Sequence, residues 1–130
     1  MKKILIVEDN ELSADILKVI LQDREFSIET VDNGEKGINK FIESYENGNP
    51  YNIVFLDILM PIKNGQQVLE ELRGFESGKK ISDNEKVKII MTTSVDNYEN
   101  VYKSFKNKCD GYLIKPILKE KLFKLIDQIT

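Results

Sequence analysis

Histidine is absent from this 130-residue chain. Its absence removes Ser-His-Asp and Cys-His catalysis and most zinc sites, and the chain cannot itself carry a phosphohistidine. A single cysteine, Cys109, cannot form an internal disulfide, which suits a reducing compartment and leaves Cys109 as a small packing residue. Basic charge is not in excess either: 19 Lys and Arg stand against 22 Asp and Glu, a net charge of −3. The clustered positive charge that binds nucleic acid or an anionic membrane is therefore missing. No apolar run approaches the roughly 20 residues that span a bilayer. The run from Met1 to Val7 meets Glu8 and Asp9 too soon for a signal-peptide core. These absences predict a cytoplasmic protein with neither nucleic acid nor membrane as partner. What is present is enough apolar residue, 41%, to fill the core of one domain spanning residues 1–130.

Short apolar runs and helical periods alternate along the whole chain. Residues 3–7 read as a strand (β1) buried on both faces. From residue 12 the period becomes helical, with Asn10 as a cap and Leu12, Ile16, Val19 and Ile20 as the inward stripe of α1. Residues 26–31 form β2, and Asp32-Asn33-Gly34 turns the chain into α2, which carries Ile38, Phe41, Ile42 and Tyr45 on one face. Gly48-Asn49-Pro50 precedes β3, residues 52–57; Pro61 and Gly65 punctuate the loop to α3, with Val68, Leu69, Leu72 and Phe75. The polar stretch 76–86 reads as a solvated loop. Then follow β4 (87–92), α4 (98–105, packing through Tyr98, Val101, Tyr102 and Phe105), β5 (111–114) and α5 (118–129, with Leu118, Leu122, Leu125, Ile126 and Ile129 as its stripe). Five successive βα units predict an α/β fold, a doubly wound parallel sheet with helices on both faces. The last helix is read as running to the end of the sequence, and no output domain is expected in this chain.

Ligands of such sheets bind beyond the carboxyl ends of the strands, where the strand order reverses. Glu8 and Asp9 stand at the end of β1, Asp57 at the end of β3, Thr92, Thr93 and Ser94 at the end of β4, and Lys115-Pro116 at the end of β5. In the flavodoxin-like order 2-1-3-4-5, β1 and β3 are neighbours, and three carboxylates converge. Such charges repel unless a cation intervenes. Oxygen ligands without histidine or thiolate suit Mg²⁺. Metal-assisted phosphoryl chemistry follows, with Asp57 as nucleophile, Lys115 as a further cation and the Thr93 hydroxyl as hydrogen-bond donor.

From Lys3 to Ile129 the sequence resembles a response-regulator receiver domain of two-component signalling. The resemblance rests on Val7-Glu8-Asp9-Asn10, on Leu56-Asp57 through Met60-Pro61 to Gly65, on Met91-Thr92-Thr93-Ser94, and on Gly111-Tyr112 through Lys115-Pro116, in that order, each at a strand end. It implies that Asp57 accepts phosphate from a histidine kinase or histidine phosphotransfer protein. It also implies that Asp9, Asp57 and the backbone carbonyl of Leu59 hold Mg²⁺, with Glu8 acting through water. Thr93, followed by the small Ser94 and 22 positions before Lys115, matches the switch hydroxyl, and Tyr112 the switch aromatic. The Lys115–Pro116 bond is expected to be cis. Leu59 and Val95, two past the acceptor and two past the switch hydroxyl, are the positions that tune phosphoryl hydrolysis; both are apolar, which predicts a long-lived phosphoryl group. Glu8 in place of a commoner aspartate, and a long α3–β4 loop, depart from the usual pattern.

The implied function is a switch that catalyses only its own phosphorylation and dephosphorylation. Phosphorylation changes the α4–β5–α5 face, to be read by a separate downstream partner, the chain being a monomer or a weak phosphorylation-dependent dimer. Three other readings are weighed against it. Flavodoxin-type flavin binding is opposed by the acids after β1, which repel a phosphate. A haloacid-dehalogenase-type phosphohydrolase needs an acid at position 59, which is Leu. A docking module that never uses its phosphoryl site would have no need of the acid, hydroxyl and lysine positions together.

Overall fold

The computed structural model describes residues 2–60, 62–94 and 108–130. Five parallel strands pair in the order β2-β1-β3-β4-β5: β1 Lys2–Val7, β2 Phe26–Val31, β3 Ile53–Asp57, β4 Lys88–Thr93 and β5 Gly111–Ile114. The central strands are near-continuous Ile, Leu and Val because both of their faces are covered. Alternate side chains feed two cores. Leu5, Val7, Val54, Leu56, Ile89 and Met91 pack beneath Phe41 of α2 (Gly34–Glu46) and Val68, Leu69 and Leu72 of α3 (Gly65–Gly78). Ile4, Ile6, Ile53, Phe55 and Ile90 pack beneath Ala14, Leu17 and Leu21 of α1 (Glu11–Leu21) and Leu122 and Ile126 of α5 (Lys119–Ile129).

Three helices start with an asparagine cap at the carboxyl end of the sheet. The side chains of Asn10, Asn33 and Asn64 accept hydrogen bonds from the amides of Ser13 (2.9 Å), Lys36 (2.8 Å) and Gln67 (3.0 Å). Gln67 bonds back to the Asn64 amide and completes a capping box. The caps fix where each chain segment leaves its strand, and so where the strand-end residues sit.

Two expectations need correction. The stripe Leu12, Ile16 and Val19 does not face the core: all three are exposed, and α1 packs through Ala14, Leu17 and Leu21 instead. The helix has two apolar stripes, and it is the one through Ala14, Leu17 and Leu21 that packs on the sheet. The stretch 76–86 is not simply a solvated loop. Its first residues continue α3 to Gly78, Asp83–Glu85 form a 3-10 turn, and Glu76 is buried. Glu76 Oε2 accepts from the Val87 amide (2.8 Å) and Oε1 pairs with Arg73 (2.7 Å). The same guanidinium donates to the carbonyls of Val87 and Lys108 and to Asp110 Oδ2, which also accepts from the Ile89 amide. Side chains thus supply hydrogen bonds at the start of β4, whose pairing with β5 begins only at Ile90. The expected α4, with Tyr98, Val101, Tyr102 and Phe105, lies outside the described residues.

Candidate phosphoryl and metal site

Parallel register brings the predicted residues together at one pole. Val7 pairs with Leu56 and Asp57 with Thr92, so Glu8 and Asp9 emerge beside Asp57. One carboxylate oxygen from each of Glu8, Asp9 and Asp57 lies within 4.8 Å of the others. Glu8 and Asp57 are buried, whereas Asp9 is exposed. The Lys115 amide bonds the Thr93 carbonyl (2.7 Å), tying the end of β5 to the end of β4. From there the Lys115 ammonium reaches Glu8 Oε1 at 3.0 Å and Asp57 Oδ1 at 3.4 Å. The following peptide, Lys115–Pro116, is cis, as expected.

Burial and the neighbouring Glu8 carboxylate push the Asp57 carboxyl up to about 7, against the opposing pull of Lys115. Among the described residues, Lys115 is the cation paired with this cluster of three acids, which leaves it short of positive charge. Glu8 Oε2 is also buried without a hydrogen-bond partner among the described residues. An orphaned carboxylate oxygen in an all-oxygen, acid-rich cluster fits a hard divalent cation such as Mg²⁺.

The switch candidates also sit near this pole. Thr93 is buried, with its hydroxyl donating to the Ser94 carbonyl at 3.2 Å; Thr92, equally buried, occupies the register position opposite Asp57. Tyr112 on β5 is half-buried against the α2–α3 core. Leu59 is exposed, between buried Ile58 and Met60. Val95 lies outside the described residues, as does Pro61. Cys109 is partly buried against the core, in keeping with a packing role.

Two features escaped the sequence reading. Gly65 is more than loop punctuation: a Cβ there would lie 2.8 Å from the Ile58 Cα and would press on the Asp57 carbonyl oxygen. The Gly65 amide also donates to the Ile58 carbonyl at 2.9 Å, so the backbone at Asp57 and Ile58 is braced by the start of α3. Ile62, for its part, has φ 70°, a left-handed conformation that β-branched residues seldom adopt; no residue pattern announced it.

A family model described as response regulator receiver domain matches residues 4–127. The chain belongs to that family. It is therefore a receiver domain of two-component signalling, a phosphorylation-based switch. Chemotaxis protein CheY of Halobacterium salinarum is 33% identical over 128 residues, covering 98% of this chain and 96% of that protein. The regulatory protein VanRB of Enterococcus faecalis is 27% identical over 127 residues, and there the matched region is 51% of the relative's length. Among solved structures, CheY4 of Vibrio cholerae superposes with a TM-score of 0.81 at 23% identity, covering 100% of this receiver and 99% of that chain. A chain from the Saccharomyces cerevisiae co-crystal of the histidine phosphotransfer protein Ypd1 with the receiver domain of Ssk1 gives 0.79 at 26% identity, covering 98% and 88%. No helix among the described residues of the receiver is long and apolar enough to cross a membrane.

Proposed function

We propose that residues 1–130 form one cytoplasmic receiver domain in which Asp57 takes a phosphoryl group from a phosphohistidine on a histidine kinase or histidine phosphotransfer protein. A carboxylate oxygen of Asp57 forms the new O–P bond as the P–N bond to the partner's imidazole breaks, and the imidazole leaves with a proton. Asp9, Asp57 and the Leu59 carbonyl would hold Mg²⁺, with Glu8 acting through water. The metal supplies charge neutralisation for the phosphoryl oxygens. Lys115 faces the same oxygens with its ammonium, and the Thr93 hydroxyl donates to one of them once they arrive. The chain catalyses its own phosphorylation and dephosphorylation and turns over no external ester. The observation that carries this reading is the buried Asp57, with Lys115 3.4 Å away and two further carboxylates gathered beside it.

The new phosphoryl group carries about two negative charges. Thr93 moving toward it would free space for Tyr112 to turn inward, changing the α4–β5–α5 face that a downstream partner reads. The output is a shift between two populations of that face. The domain works as a monomer or as a weak dimer formed on phosphorylation.

Incubation with phosphoramidate and Mg²⁺ tests the acceptor. Intact mass should rise by one phosphoryl group in wild type and not in Asp57→Asn; labelling that persists in Asp57→Asn overturns the assignment. Asp9→Ala should weaken Mg²⁺ binding far more than Glu8→Gln does, and equal effects would reverse the ranking of the two acids.

A further inference from the structure

Asparagine followed by glycine is prone to react with itself, and this chain has three such pairs: Asn33-Gly34, Asn47-Gly48 and Asn64-Gly65. The main-chain nitrogen of the glycine attacks the side-chain carbonyl carbon of the asparagine. A new C–N bond closes a succinimide ring, and the side-chain nitrogen leaves as ammonia. Water then opens the ring at either carbonyl, giving aspartate or, with the main chain rerouted through the side chain, isoaspartate. The reaction consumes only water, and glycine favours it because no Cβ crowds the attacking nitrogen. Ring closure still needs a near-attack geometry. The asparagine side chain must be free to swing, and the glycine must be free to turn.

Two of the pairs are denied that freedom. The Asn33 side chain accepts from the Lys36 amide at 2.8 Å, and Gly34 is buried where even a Cβ would collide with Val68. Asn64 is held on both sides by its capping box with Gln67. The attacking nitrogen there, the Gly65 amide, donates to the Ile58 carbonyl at 2.9 Å, and Gly65 is wedged against the Asp57 backbone. Each bond that starts a helix also withholds an asparagine from its neighbour.

Asn47 differs in each respect. It stands at the carboxyl end of α2, exposed, and its side chain makes no hydrogen bond among the described residues. Gly48 is exposed too, with φ 77°, and a Cβ placed on it would meet nothing within 4 Å. The turn is closed by two bonds, from the Gly48 amide to the Tyr45 carbonyl (3.1 Å) and from the Asn49 amide to the Ser44 carbonyl (2.9 Å). Both belong to a helix end at the surface, where local opening costs least.

We propose that Asn47 is the site of spontaneous deamidation in this chain, converting to isoaspartate and aspartate while Asn33 and Asn64, locked as helix caps, are spared. Either product places a carboxylate close in sequence to Glu43 and Glu46 at the negative end of α2. Isoaspartate also adds a carbon to the main chain inside the closing turn. The Asn49 carbonyl accepts from the Lys3 ammonium at 2.9 Å, so the modification loosens the tie between the end of α2 and the start of β1.

Warm incubation at pH 8 followed by peptide mapping tests the site, with fragmentation that separates isoaspartate from aspartate. Asn47 should convert at least about fivefold faster than Asn33 or Asn64, the scale set by opening a capping bond. In urea, where no cap survives, the three rates should come together. Conversion of Asn33 or Asn64 in the native protein as fast as that of Asn47 overturns the proposal. So does an Asn47 that stays intact over a time in which the urea-treated chain converts. A native ranking that persists in urea overturns it as well, because the fold would then not be the selector. The melting temperature of the aged sample should fall as its isoaspartate content rises, and a constant value contradicts the loosening of α2.

Discussion

Glu8 and Lys115, 107 positions apart in sequence, pair at 3.0 Å beside the Asp57 carboxylate. Both act on Asp57, with opposite sign. Glu8 raises its pKa and Lys115 lowers it, on top of the larger upward push from burial. In the metal-free protein, Glu8→Gln should therefore bring the Asp57 titration down from about 7, and Lys115→Ala should take it up. Carbon-13 shifts of the Asp57 carboxyl group across a pH series would read both, and shifts of the same sign would contradict this arrangement of charges.

The raised acceptor pKa also links folding to pH. An aspartate ionises near 3.8 in the unfolded chain and near 7 here, so between those values the native state holds a proton that the unfolded state has lost. On this group's account stability is full below about 4, declines as pH rises toward 7, and is flat above. Asp57→Asn should remove that slope and stabilise the metal-free domain at pH 8 by on the order of 2–4 kcal/mol. Saturating Mg²⁺, bound by the ionised carboxylate, should recover much of the loss in wild type. Urea unfolding of the two proteins at pH 5 and pH 8 would measure the difference, and parallel pH profiles would sink the idea.

Glu76 gives a stability prediction remote from the site. Glu76→Ala removes the acceptor for the Val87 amide and one partner of a largely buried guanidinium. The expected cost is roughly 3–5 kcal/mol. Glu76→Gln, which keeps an acceptor oxygen for Val87, should cost less. Denaturant unfolding of both variants at neutral pH would rank them, and a loss below 1 kcal/mol for Glu76→Ala would mean that Arg73 and Val87 find other partners.

On the proposed function, Leu59 should set the lifetime of the signal. Hydrolysis of an aspartyl phosphate needs an oriented water, and an apolar side chain at this position offers none of the hydrogen bonds that would orient one. The wild-type phosphoryl group should last many minutes, and Leu59→Asn with Val95→Glu should shorten its decay by about tenfold. Loss of label followed by intact mass after removal of the donor would test this; decay within seconds in wild type would contradict it.

The strands and the gathering of the candidate site residues at one pole were legible because each candidate stands at the end of a short apolar run. A parallel sheet places the ends of such runs side by side. The face of α1 was not legible: Leu12, Ile16 and Val19 satisfy the helical period as well as Ala14, Leu17 and Leu21 do, and periodicity alone cannot choose between two stripes. Glu76 opens the polar stretch that reads as a solvated loop, whereas it continues α3 and pairs with Arg73. The pair's other partners are distant, Asp110 lying 37 positions from Arg73 beside the Val87 and Lys108 backbone, and nothing in the residue pattern announces such contacts.

Helix α3 touches the acceptor strand at one end and the starts of β4 and β5 at the other. Its first residue, Gly65, abuts the Asp57 backbone, and near its last turn Arg73 and Glu76 hold Val87, Lys108 and Asp110. Fourteen residues of helix make a strut roughly 20 Å long between the two poles of the sheet. With that strut seated at both ends, the Asp57 main chain has little room to recoil, and on the proposed reading the mechanical work of switching falls on the side chains around it.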